Sequence, residues 1–75
     1  MISELDTVVL TEDLPDKGLR KGDLGTVVMV YNNNAAYEVE FVTLDGETVS
    51  VATLTPAQIR EIKKGEMPHA RNLAV

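Results

Sequence analysis

Thr43-Leu44-Asp45-Gly46-Glu47 is the segment that most narrows what this chain can fold into. An Asp-Gly pair supplies the positive φ that a tight hairpin turn demands, and here it stands between two runs of strand character. Before it, Tyr37-Glu38-Val39-Glu40-Phe41 alternates with period two, placing Tyr37, Val39 and Phe41 on a core face and two carboxylates on a wet one. After it, Thr48-Val49-Ser50-Val51-Ala52 returns, with Val49 and Val51 expected inward. An isolated hairpin is marginal in water, so further strands must cover its apolar face.

Upstream, Thr7-Val8-Val9-Leu10-Thr11 is short, β-branched and apolar, which predicts a first strand. Residues 12–25 mix proline and three glycines with charges and form a long loop. Leu14, Leu19 and Leu24 recur inside that loop, so it is expected to fold down and plug one end of the sheet with all three. Thr26-Val27-Val28-Met29-Val30-Tyr31 is apolar without alternation, which predicts either burial on both faces or a central place in the sheet. Asn32-Asn33-Asn34 then marks an exposed turn, because asparagine tolerates the left-handed backbone region.

Downstream, residues 54–64 admit two readings. Thr55, Pro56 and Gln58 have the pattern of a helix capping box, with Gly65 as a stop. The other reading is a single 3-10 turn followed by a short fifth strand from Ile59 to Ile62. It is preferred, because so short a lone helix is marginal and Ile59 with Ile62 makes a thin apolar stripe. Residues 63–75 contain a proline and no regular period, and are expected to form a flexible or partner-docking tail after a barrel of residues 1–62. Its apolar end, Leu73-Ala74-Val75, would suit a homodimer contact.

At 75 residues without cysteine, the chain has room for one domain and neither disulfides nor thiolate-bound zinc to staple it. Stability must come from packing or association, and closing the strands into a small barrel hides their edges. The expected fold is therefore all-β, a five-stranded barrel with a long loop between strands 1 and 2 and a 3-10 turn before the last strand. Met1 to Asp6 lacks a basic start and a long apolar run, and no stretch approaches a membrane span, so a cytoplasmic protein without membrane contact is expected.

The net charge of −5 is unevenly placed: residues 1–58 sum to −7 and residues 59–75 to +2. An acidic body disfavours phosphate backbones. One histidine, His69, two serines and no cysteine are too poor an inventory for nucleophilic catalysis, so no catalytic residue, cofactor or enzyme activity is expected. Glu12, Asp13, Asp16 and Asp23 lack the spacing of a calcium loop, and no metal site is assigned. Gly18, Gly22 and Gly25 lack the pattern of a phosphate-cradling loop, and turn geometry accounts for them better.

Thr7-Val8-Val9-Leu10, Asp13-Leu14-Pro15, Gly18-Leu19, Gly22-Asp23-Leu24-Gly25-Thr26-Val27-Val28 and Tyr37-Glu38-Val39-Glu40-Phe41 together resemble a family of short bacterial proteins. That family is frequent in cyanobacteria and known only as a domain of unknown function, and the resemblance covers about residues 4 to 62. The Gly-x-x-Gly-Thr-Val-Val element is shared with many SH3-like barrels, including small subunits of photosynthetic and nitrile-hydratase complexes. The resemblance implies an SH3-like barrel in a bacterial cytoplasm and carries over no binding residue. The functional expectation is a non-enzymatic module that binds or restrains another protein, with the product of a neighbouring gene as the candidate, through Asp13, Asp16, Lys17, Arg20, Lys21, Glu38 and Glu40. The alternative is a nucleic-acid-binding barrel using Lys17, Arg20, Lys21 and the basic end.

Overall fold

The alternation of Tyr37 to Phe41 becomes strand β3, Ala36–Val42, in a computed structural model that describes residues 1–73. Strands β1 (Thr7–Leu10), β2 (Leu24–Tyr31), β4 (Thr48–Leu54) and β5 (Ile59–Glu61) join it in one antiparallel sheet of order β4-β3-β2-β1-β5. The fold is all-β with five strands, as expected, but the single 3-10 turn among the described residues lies at Pro15–Lys17 in the long loop, while residues 56–58, where the sequence predicts a 3-10 turn before the last strand, form a plain hydrogen-bonded turn. No helix is long and apolar enough to cross a membrane among those residues.

Strands β4 and β5 stand at opposite ends of that order, yet only residues 55–58 connect them. A flat sheet would hold two strands four spacings apart at about 19 Å. Five peptide steps span about 17 Å only when fully extended. This link instead bends back, with the Gln58 N–H donating to the Thr55 carbonyl at 3.0 Å. The sheet must therefore curl until its ends approach, and Leu54 of β4 and Ile59 of β5 do share one core cluster. Among the described residues no ladder joins β4 to β5, so packing rather than hydrogen bonding brings the ends together.

Inside the curl lie Val8, Leu10, Val27, Tyr37, Val39, Phe41, Ala52, Leu54 and Ile59, with Leu19 from the long loop. Each such side chain contributes on the order of 1.5–3 kcal/mol on burial, so this one cluster carries the fold. The residues before β1 extend the sheet, because the Leu5 N–H donates to the Val27 carbonyl and the Val27 N–H to that of Asp6. Both hairpin signals hold. Asn32, Asn33 and Asn34 all have positive φ, and Gly46 takes φ 93° beside Asp45.

Three further expectations change, at Val51, Leu24 and Gly25. Val51 points outward, and Ala52 and Leu54 take the core positions instead. The reason is a bulge: Phe41 pairs with Ser50 and Val42 with Thr48, so Val49 is an extra residue that shifts the alternation. Strand β2 takes the central place in the sheet, one of the two expected outcomes, and among the described residues no second layer covers its outer face, where Val28 and Met29 are exposed. Leu14 and Leu19 do plug the sheet, bridging one another across the loop, whereas Leu24 is 41% exposed. It belongs to β2, opposite Val9, whose side lies away from the core cluster. Finally, Gly25 is no turn residue.

The segment after β4 takes the turn-plus-strand form. The Thr55 N–H donates to the Gln58 side-chain oxygen at 2.9 Å, one half of a capping box, but no helix follows. The chain instead returns to β1: the Thr11 N–H donates to the Gln58 carbonyl at 2.9 Å and its hydroxyl to that of Ala57 at 2.6 Å. Ile59 is buried and Ile62 exposed, so the thin stripe was never a helix face.

A Cβ built on Gly25 would sit 2.5 Å from Val39 Cγ1 and 2.8 Å from Phe41 Cε1. The glycine makes room for the phenylalanine ring against the β1–β2 pair. Gly25→Ala is expected to cost about 1–3 kcal/mol through overpacking, read as a lower denaturant midpoint. Gly46→Ala, which meets no atom within 4 Å but keeps positive φ, separates this effect from backbone strain.

Candidate interaction surfaces

Strand register builds the outer face of β2, β3 and β4 in rows. Met29, Glu38 and Thr53 form one row, and Thr26, Glu40 and Val51 the next. Glu38 accepts hydrogen bonds from Thr53 Oγ1 at 2.6 Å and Tyr31 Oη at 3.3 Å, and Glu40 accepts one from Thr48 Oγ1 at 3.0 Å. Partial burial of the Tyr31 hydroxyl, then the Glu38 charge and hydrogen bond, push the tyrosine pKa up. Both carboxylates are thus held half-buried among threonines, with Met29, Val42 and Val51 exposed around them. The face is apolar with two fixed negative charges.

Beyond that face lies the free edge of β4. Thr48-Val49-Ser50-Val51-Ala52-Thr53-Leu54 carries no charge and no proline, and pairs only with β3 among the described residues. Natural edge strands are usually blunted by lysine, proline or brevity. Here the Val49 bulge is the only such device on the strand itself.

Asp13, Asp16, Lys17, Arg20 and Lys21 stay together in the loop between β1 and β2, separate from Glu38 and Glu40 on β3. Asp13 Oδ1 accepts the Lys21 N–H at 2.8 Å, and Asp23 Oδ2 accepts that of Arg20 at 2.8 Å. Asp13 thereby shapes the loop. Asp16 and Lys17 sit on the 3-10 turn, whose end Gly18 is left-handed at φ 71°. The structure does not merge the seven predicted residues into one patch.

Two arginines of the basic end are committed to carboxylates. Arg71 Nε donates to Asp23 Oδ1 at 2.9 Å, its Nη2 reaches Asp23 Oδ2, and the same nitrogen reaches the Gly18 carbonyl at 3.2 Å. Burial would raise the Asp23 pKa, but the Arg71 hydrogen bond, the Arg20 N–H and both positive charges outweigh it and hold the carboxyl below its usual range. Arg60 forms a second fork, to Glu66 Oε1 at 3.0 Å and Oε2 at 2.6 Å, and the Lys63 N–H also donates to Glu66. Residues 63–73 have no helix or strand but are tied back by Arg71, while Ala74 and Val75 of the expected dimer contact lie outside the described residues. The sequence signals this fastening only as a basic end facing an acidic body, since 48 residues separate Arg71 from Asp23.

Residues 4–61 match a family model described as Domain of unknown function (DUF4926). No curated protein and no solved structure matches the chain.

Hydrogen bonds from Arg60, then from the Lys63 N–H, lower the Glu66 pKa to about 2. Carbon-detected NMR titration is expected to find it there, and Arg60→Ala to move it back toward the ~4.3 of a free glutamate. Because the folded pKa lies below the unfolded one, whatever stability the pair adds is complete above the unfolded value and disappears as pH falls through about 2.

Proposed function

We propose that this chain, which belongs to the DUF4926 family, is a non-enzymatic protein-interaction module that binds its partner along the outer face and free edge of β4. The bare seven-residue edge carries this reading: it offers unpaired main-chain donors and acceptors with no charged gatekeeper. A strand from the partner adds to the sheet there, and Met29, Val42 and Val51 supply apolar area beside it. Glu38 and Glu40 favour a partner with basic residues flanking that strand, and speed encounter at low salt. We place it as an SH3-like barrel in a bacterial cytoplasm, in keeping with the strand order and the Gly-x-x-Gly-Thr-Val-Val pattern.

The charge pattern favours a protein over a nucleic acid. Arg60 and Arg71 are engaged with Glu66 and Asp23, and Lys17, Arg20 and Lys21 are interspersed with Asp13 and Asp16. A nucleic-acid barrel would need free cations and stacking aromatics on one face.

The test compares tagged full-length protein with Val51→Lys and with Glu38→Lys/Glu40→Lys in affinity capture from the native host at ~50 mM salt, where electrostatic attraction is strong. Val51 is 44% exposed, so its lysine variant should unfold within about 0.5 kcal/mol of the parent. A protein captured by the parent, reduced at least tenfold by Val51→Lys and weakened by the double charge reversal, is the expected result. Equal capture by all three, or binding of labelled nucleic acid in its place, sinks the reading.

A further inference from the structure

The chain's own residues 68–73 run beside a cleft of about 750 Å³ at the loop end of the sheet, between Leu19 to Leu24 on one side and the β3–β4 hairpin on the other. The cleft is bordered by apolar groups that the fold leaves uncovered: Leu44 is 93% exposed, Val42 50% and Leu24 41%. At its margin stands the one ion pair of the described residues in which both side chains are largely shielded, Arg71 with Asp23, at 21% and 18% exposure. Arg71 does not merely touch the body. Its guanidinium meets both oxygens of Asp23 and the Gly18 carbonyl, a three-acceptor seat matched to the planar fork of arginine.

That seat is assembled by the fold without help from the segment that fills it. Gly18 closes the 3-10 turn in the left-handed region, and Asp23 is held by the Arg20 N–H and by its own carbonyl, which accepts the Leu10 N–H at 2.9 Å. The occupant is a piece of chain with no helix or strand, basic where the body is acidic. A tethered segment of this kind acts as a ligand held at high effective concentration.

We propose that the Asp23 and Gly18 seat, with the cleft beside it, binds an extended peptide of a partner protein that carries an arginine and, two residues on, an apolar side chain, and that Arg71 fills the seat in cis as an internal competitor while residues 68–73 line the cleft. The arginine takes the Asp23 and Gly18 seat, and the apolar residue enters the cleft that Leu24, Val42 and Leu44 line together with the chain's own Leu73. Val42 borders both this cleft and the β4 edge, but Asp23 and Arg71 belong to the cleft alone and Glu38 and Val51 to the edge alone, so variants at those positions distinguish the two surfaces.

The test uses full-length protein and a fluorescent peptide with the sequence of residues 66–73. Arg71→Ala weakens the internal competitor and is expected to bind the free peptide about tenfold more tightly than the parent, because the open site is populated more often. Adding Asp23→Asn to Arg71→Ala should abolish that gain, and a peptide with alanine in place of its arginine should not bind. Amide shifts at Gly18, Asp23 and Leu24 on peptide addition place the contact. If Arg71→Ala does not fold, Arg71→Lys keeps the charge without the fork, and a smaller gain over the parent is expected from it. Binding no tighter than the parent's in the folded variant, or binding indifferent to Asp23 or to the peptide's arginine, overturns the proposal.

Discussion

The link of four residues between β4 and β5 forces the two ends of a five-stranded sheet together, and most other features follow from that. A sheet so curled has one interior, and the described residues form no second layer outside it. Gly25 then becomes necessary, since the ring of Phe41 and the Val39 methyl must lie against the β1–β2 pair where a Cβ would stand. The interior cluster is built of hydrophobic side chains, and its members come from all five strands.

A single-layer curl leaves two kinds of opening, and the chain treats them differently. At one end the long loop is folded in, with Leu19 buried, Leu14 packed beside it and Arg71 tying the basic end across the loop through Asp23. Along the side, the outer face of β2 to β4 and the β4 edge are left bare, apart from Glu38 and Glu40 seated among threonines. Uncovered apolar side chains beside an unpaired edge are costly to leave in water and prone to pairing, and the proposed binding surface rests on that cost.

Much of the fold was legible because its signals are local. The Asp45-Gly46 and Asn32 to Asn34 turns need special backbone angles that few residues supply, and the period-two run from Tyr37 to Phe41 admits one facing only. The Thr55 to Gln58 pattern was ambiguous for a physical reason: a capping box and a single turn use the same hydrogen bonds, and only the pull of β1 on Ile59 decides between them. Of the seven charged residues singled out for binding, Glu38 and Glu40 lie on the proposed surface, while the loop residues lie elsewhere and Asp13 bonds the loop's own backbone.

By itself the sequence determined the strands, their turns, the one-domain size and the opposition between an acidic body and a basic end, since each depends on neighbours along the chain or on totals. Tertiary structure alone decided which face Val51 shows, because a one-residue bulge across from Phe41 reverses its side. It also decided that Gly25 serves close packing, that the outer face of β2 stays open, and that Arg71 meets Asp23. Those outcomes depend on what lies opposite in space, across strands or 48 residues away, where no local periodicity reaches.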